Sequence, residues 1–284
     1  MDNTEQIEYW NGDAGKRWAQ EDQTMARLLR PVTEALLDHA AVEGRRSALD
    51  VGCGGGSQSL MLAQRLGPAA RVLGVDISEP MLQVAREKSN EPHEGMAQVE
   101  FLQADAATHA FDADSFDLLF SRFGVMFFDD PQAAFSNLCQ SLQPGARLVF
   151  CCWQALKDND WTRIPLQAAL QHVPAPEKPD PHAPGPFAFA DPQRVREILD
   201  SSGYRGIEVT PFTHDIRFGE ASTLQESVRQ LAMIGPVSRL LAGEEEAVME
   251  RVFLSMEEVL APHYQEGALH LPGAMWFVTA TTEG

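Results

Sequence analysis

The chain has 284 residues, 44% of them hydrophobic and 22% charged. That is enough for one large α/β domain, or a core with an added lobe, and it excludes wholesale disorder. The net charge of −19 divides as −10 over residues 1–153 and −9 over 154–284; an evenly acidic chain with no basic patch argues against nucleic acid and against anionic membranes.

In chain order, residues 4–20 suit a helix marked by Ile7, Trp10 and Trp18, and Pro31 to Ala41 a second helix with proline at its start. Ser47 to Gly52 is a short apolar run entering a glycine cluster, a pattern that predicts a buried strand and a tight turn. Helical spacing resumes over Ser57 to Leu66. The alternation repeats: a strand over 71–75, a helix over 80–89, strands over 99–102 and 116–120, a helix over 131–142, the Pro144-Gly145 turn, and a strand over 147–152. Apolar strands alternating with helices imply parallel pairing through right-handed crossovers, with helices on both faces.

After Trp153 the pattern changes. Residues 161–172 suit a helix, and six prolines in 174–186 a loop or linker. A helix over 192–201, a strand over 207–218, helices over 222–242 and 244–260, and a final strand over 274–281 follow. The run Gly243-Glu244-Glu245-Glu246 reads as a solvated helix start. The four cysteines, Cys53, Cys139, Cys151 and Cys152, show no CxxC spacing, so no metal site is expected. Cys151 and Cys152 suit buried packing. The first residues lack the basic and apolar regions of a signal peptide, and no run of about 18 apolar residues occurs. The expectation is a soluble cytoplasmic protein with no membrane partner.

The chemistry concentrates at strand ends. Leu49-Asp50-Val51-Gly52-Cys53-Gly54-Gly55-Gly56-Ser57 is a strand, a sharp turn and a helix start. It is neither G-x-G-x-x-G, because Ser57 stands at the last position, nor a Walker loop, because no Gly-Lys-Ser/Thr occurs. Asp50 would repel a pyrophosphate and favour a cationic ligand; taken alone, it equally suits a turn or helix cap. Asp76 ends the next strand, 26 residues on, where an acidic residue hydrogen-bonds ribose hydroxyls. Asp105, after the strand 99–102, can accept from an exocyclic adenine amine or serve as a turn residue. Ser121 ends the strand 116–120 and leads through Arg122 and Phe123 to Met126, Phe127 and Phe128. Four successive strand ends thus carry polar groups where open α/β sheets bind ligands.

These residues resemble class I S-adenosylmethionine (SAM)-dependent methyltransferases, in particular the small-molecule group that includes the quinone-biosynthesis C-methyltransferases. Leu49 to Gly56 resembles their first motif, and Val75-Asp76-Ile77-Ser78 with Met81-Leu82 the second. Asp105-Ala106 resembles the adenine-side motif; Phe116 to Phe123 and Leu142 to Leu148 resemble the region around strands four and five. The resemblance covers roughly residues 45–153. It implies an α/β Rossmann-like fold: a seven-stranded, mostly parallel sheet with helices on both faces, its last strand antiparallel. It also implies a helical lid from C-terminal insertions at 154–190 and 219–266. Residues 1–44 would be an N-terminal arm covering the cofactor, 45–153 the SAM-binding core, and 154–284 the rest of the same structural domain.

By the same resemblance, Asp50, Gly52, Cys53, Gly54 and Gly56 would hold the methionine part of SAM. Asp76 and Ile77 would flank ribose and adenine with Met81 nearby, and Asp105 and Ala106 would face adenine. Ser121, Arg122 and Phe123 would lie near the carboxypropyl end and the acceptor. Tyr9, Trp10 and Trp18 resemble a covering arm; Trp10 and Trp18 equally suit a core. The partner expected is a small-molecule methyl acceptor reached by in-line displacement. The alternatives are an NAD(P)-dependent oxidoreductase, which Asp50 and Ser57 oppose, a non-catalytic SAM-binding protein, and a methyltransferase for protein or nucleic acid. A base is needed only if the nucleophile arrives protonated. His172, His182, His214 and His263 are the candidates, and no catalytic residue is assigned. Trp153, Trp161, Phe187, Phe189, Met233 and Trp276 are candidates for an apolar acceptor pocket, with packing as the alternative role of each.

Overall fold

The computed structural model describes residues 3–91, 94–176, 180–219 and 222–284. Compactness divides the chain into two units. The first is Met1–Cys152, Asp191–Thr210 and Trp276–Gly284; the second is Trp153–Ala190 and Pro211–Met275.

The first unit opens with helices α1 (Thr4–Asn11), α2 (Asp13–Gln20) and α3 (Asp22–Ala40). The single helix expected over 4–20 is two, because Gly12 turns extended between them. Pro31 lies inside α3 rather than at its start. Its missing N–H removes one helical bond, while Leu29, Val32, Leu36 and Leu37 bury one face of the helix.

Strand β1 (Ser47–Val51) is buried along its whole length, as a strand covered on both faces must be. Helix α4 (Ser57–Leu66), strand β2 (Arg71–Asp76), helix α5 (Glu79–Ser89), strand β3 (Gln98–Gln103), strand β4 (Phe116–Arg122), helix α6 (Pro131–Gln140) and strand β5 (Leu142–Trp153) follow. β1 pairs parallel with β2 and β4, β2 with β3, and β4 with β5. β5 starts earlier than expected. Phe116 stands opposite Leu142 and Leu118 opposite Arg147, so the Pro144-Gly145 turn is kept as an irregularity within the strand.

Helix α7 (Asp160–Ala169) is in the second unit, α8 (Pro192–Ser201) in the first, and strand β6 (Tyr204–Phe218) begins in the first. The helix expected over 222–242 divides into α9 (Leu224–Ala232) and α10 (Gly235–Leu240), where Gly235 takes a positive φ of 64°. Helix α11 (Glu246–Leu260), the two-residue strand β7 (Tyr264–Gln265) and strand β8 (Ala268–Thr282) complete the chain. In the second unit α11 packs on α7 and α9. There Asn159 is fully buried: its Oδ1 accepts from Trp161 Nε1 at 3.1 Å and from the Ala274 N–H at 2.9 Å.

The strand order is β3-β2-β1-β4-β5-β8-β6, with β7 paired antiparallel to β8. That makes eight strands where the resemblance implied seven; the extra one is β7, a short pair at the start of β8. The Gly145 N–H bonds Glu283 O, and the Gln154 N–H bonds Ala274 O. Partner numbers fall along β8 as they rise along β5, so β8 runs antiparallel to it. The order reverses between β1 and β4, and that reversal marks the ligand crevice of open α/β sheets. Among the described residues, no helix is long and apolar enough to cross a membrane, and no group of three or more His, Cys, Asp or Glu could hold a metal ion.

Candidate functional site

The carboxyl ends of β1 and β4 meet at the reversal, and the glycine loop is held there by its own backbone. The Gly52 and Cys53 N–H groups donate to Val75 O at 2.8 and 3.1 Å, tying the loop to β2. Gly52 sits at φ 69°, and a Cβ on it would lie 2.6 Å from Gly124 Cα, just past β4. Ser121 Oγ, fully buried, donates to Val51 O at 2.7 Å. Gln58 Nε2 donates to Gly52 O at 3.3 Å.

The acids of the four strand ends have different surroundings. Asp50 is fully buried, and its oxygens accept from Gln58 Nε2 at 3.0 Å and Ser59 Oγ at 2.5 Å. Burial pushes its carboxyl up to about 6, against the opposing pull of those two bonds and of the Arg122 charge. Asp76 accepts from the Gly54 N–H at 2.8 Å and the Ser78 N–H at 2.9 Å. Burial raises it too, and the backbone bonds oppose the shift. Asp105 accepts from Asn3 Nδ2 at 3.1 Å and from the Ala107 N–H at 2.9 Å. Ala106 O accepts from Asn137 Nδ2 at 3.1 Å. Gly54 and Met81 are neighbours: a Cβ on Gly54 would lie 3.3 Å from Met81 Cε. Gly56, at φ 76°, packs on Phe101 and Ala85. Cys53 is buried, and burial pushes its thiol well above its usual value, so it is inert packing.

At the end of β4, Arg122 Nη1 donates to Thr33 Oγ1 of α3 at 3.0 Å, while its Nε is buried with no hydrogen-bond partner among the described residues. Phe123 follows at φ 63°. A bulky residue held there is a backbone outlier, of the kind that collects at ligand sites.

The arm is fastened to the loop after β2. Asn11 Nδ2 donates to Ile77 O at 2.9 Å, and Asn11 Oδ1 accepts from the Glu79 N–H at 3.0 Å. Ser78 Oγ donates to Trp10 O at 2.7 Å. The Trp10 ring meets Tyr9, Trp18 and Phe127 edge-on, with centroids 5.3, 6.0 and 5.3 Å away. Tyr9, Trp10 and Trp18 therefore form one cluster with a residue that follows β4. The sixteen residues expected at the cofactor all lie in the first unit, thirteen of them at the ends of β1 to β4 or in the turns and helices that follow, and Tyr9, Trp10 and Trp18 in α1 and α2. Asn3, Thr33, Gln58 and Ser59 escaped the sequence reading, and Asn11 entered it only as part of the arm run Tyr9-Trp10-Asn11-Gly12. Gln58 and Ser59 carried a usable signal: they open α4, whose first turn returns over the end of β1.

Residues 49–150 match the family model described as a methyltransferase domain. Nocamycin O-methyltransferase of Saccharothrix syringae is 30% identical over 203 residues, which is 69% of this chain and 71% of that one. The chain belongs to the class I SAM-dependent methyltransferases. Demethylmenaquinone methyltransferase of Thermus thermophilus is 38% identical over 113 residues, covering 40% of this chain and 50% of the relative. The fold is shared with phosphoethanolamine N-methyltransferase 2 of Haemonchus contortus, solved in complex with S-adenosyl-L-methionine. The TM-score is 0.58 at 16% identity, over all of this chain and 60% of that one.

The methyltransferase thus uses SAM and methylates a small-molecule acceptor; the oxidoreductase alternative is not favoured. Of the four histidines named from the sequence, His172 has a buried Nε2 without a partner and His214 stacks on Phe212 at 6.4 Å. His182 is exposed and His263 ends a short turn. A fifth, His270 of β8, lies with Nδ1 2.7 Å from Asp215 Oδ2 of β6. This pair escaped the sequence reading because β8 starts at Ala268, before the expected 274, and so brings His270 opposite Asp215 of β6.

Proposed function

We propose that the methyl donor binds at the reversal between β1 and β4, with each end of the molecule met by a different strand end. The observation that carries this reading is the Arg122 guanidinium, buried with an unfilled N–H beside the glycine loop. A buried donor without a partner costs about 1–3 kcal/mol, and the donor's carboxylate would supply the missing acceptor. Asp76 accepts from the Gly54 and Ser78 N–H groups, and the Ile77 N–H also favours its charged form; a carboxylate has roughly four acceptor positions, and what remains would take a ribose hydroxyl. Ile77, Met81, Asp105 and Ala106 would flank adenine, and Asp50 would hold negative charge behind the loop. The Trp10 cluster would present aromatic faces to a cation.

SAM brings a methyl group already activated by its sulfonium charge. The chain's own residues then need only align the acceptor and exclude water. Within the second unit, Trp161 packs on Trp153 at 4.9 Å and on Phe218 at 6.4 Å. The relatives named for nocamycin and demethylmenaquinone support a small organic acceptor. A net charge of −19 supports an acceptor other than nucleic acid.

Calorimetry of the purified protein against SAM and against NAD tests the cofactor. Binding of SAM alone is expected, and binding of NAD alone would reject the reading. A screen of metabolite extracts with methyl-labelled SAM then identifies the acceptor by the mass of its labelled product. For the carboxylate contact, Arg122→Gln is expected to weaken SAM about tenfold, the order of one charge-assisted hydrogen bond. The same change should leave decarboxylated SAM within about twofold. Equal losses for the two ligands would remove Arg122 from the carboxylate.

A further inference from the structure

We propose that Lys88 and Asp22 are positioning residues for the methyl donor, an ion pair that locks the arm helix α3 onto the glycine loop. This rests on placing the donor at that loop. Lys88 lies in the last turn of α5. Its ammonium donates to Gly55 O at 2.9 Å, to Ser57 Oγ at 2.7 Å and to Asp22 Oδ2. An ammonium has three N–H groups, so each has a named acceptor. Asp22 is the first residue of α3 and only 7% exposed. A Cβ on Gly55 would lie 1.8 Å from Asp22 Oδ1. Glycine is therefore required at position 55 to admit a carboxylate from the arm.

A cation suits the last turn of α5, but that accounts only for a positive charge at position 88 and not for its reach to the next helix. Ser57 opens α4, and a cation at a helix start opposes the macrodipole. What Lys88 does is bring a carboxylate to that start. A dinucleotide's pyrophosphate would be received at the same kind of place, so the pair also fills that place with the protein's own anion. The loop backbone is gripped at four points: Val51 O by Ser121, Gly52 O by Gln58, the Gly54 N–H by Asp76, and Gly55 O by Lys88. Three of these grips come from residues that do not reach the arm. Lys88 also holds Asp22, so the start of α3 and the shape of the loop depend on the same side chain.

The test uses the full chain in four forms: Lys88→Met, Lys88→Arg, Asp22→Asn and the double variant Asp22→Asn/Lys88→Met. The double variant leaves no unpaired buried charge, which keeps the fold intact where a single change strains it. Calorimetry reads SAM affinity, and hydrogen exchange reads the amides of 22–30 and 54–57. Lys88→Met and the double variant are expected to bind SAM about tenfold more weakly. Lys88→Arg should stay within about threefold, because a guanidinium can still donate to all three acceptors. Exchange should quicken at the loop and the start of α3 together. A double variant that binds SAM as tightly as the unaltered chain overturns the proposal, and so does exchange that quickens at the loop alone. An unaltered chain that ignores SAM overturns the placement of the donor itself, and the proposal with it.

Discussion

Gly52→Ala is expected to destabilise the protein by about 2–5 kcal/mol. Two costs add at this position. At φ 69° a side chain adopts the left-handed region, which costs roughly 1–2 kcal/mol. The new Cβ would also lie 2.6 Å from Gly124 Cα. That neighbour is backbone and cannot swing aside, and overpacking of this kind costs about 1–3 kcal/mol. Against a usual total of about 5–15 kcal/mol, this is a large fraction. Urea unfolding reads it as a lower midpoint with an unchanged slope. Gly44→Ala is the internal control, since Gly44 has φ 81° but nothing within 4 Å of a new Cβ. It should lose only the conformational part. Equal losses at the two positions would mean that the close approach of the β1 and β4 ends contributes nothing.

The same approach explains why the site was legible before the structure. Local pattern sufficed for the parallel strands, because β1, buried on both faces, must be a continuous apolar run. It sufficed to place two acids as well: Asp76 and Asp105 follow directly from where their strands stop. What local pattern does not encode is pairing across the chain. Asp22 and Lys88 lie 66 residues apart, and each alone reads as an ordinary solvated helix charge. Asn11 bonds both Ile77 O and the Glu79 N–H, partners more than 60 residues away that its place in the arm run does not name. Pro31 misled in the opposite direction. Proline marks a helix start on average, but the apolar stripe of α3 outweighed one lost backbone bond. The pairing of His270 with Asp215 stayed hidden because His270 precedes the expected final strand, and nothing local to either residue encodes a contact 55 positions apart.

Asp50→Asn is expected to make the protein more stable and a poorer binder of SAM. The carboxyl of Asp50 is pushed from 3.8 to about 6 in the fold. Its ionisation is therefore uphill in the native state, by about 3 kcal/mol for a shift of this size. The sign follows from proton uptake. Between pH 4 and 6 the folded state holds the proton more tightly than the unfolded chain. The cost is thus fully present above pH 6 and fades as the pH falls towards 4. An asparagine has the same shape and carries no charge. Its amide oxygen can accept from Ser59 Oγ, and the Gln58 amide can turn to accept from its NH2. Asp50→Asn should gain about 1–3 kcal/mol at pH 7.5 and nothing at pH 4. A fold does not need that charge for its own sake, and stability given up at a site is commonly exchanged for function. The function here would be to hold negative charge behind the loop for a cationic donor. In the unaltered protein, SAM affinity should then fall as the pH drops below 6, where Asp50 takes up its proton. In Asp50→Asn the affinity should start lower and lose that pH dependence. A gain in stability that is the same at pH 4 and 7.5 would refute the cost assigned to burial. Unchanged SAM affinity would show that the buried charge does not serve the donor.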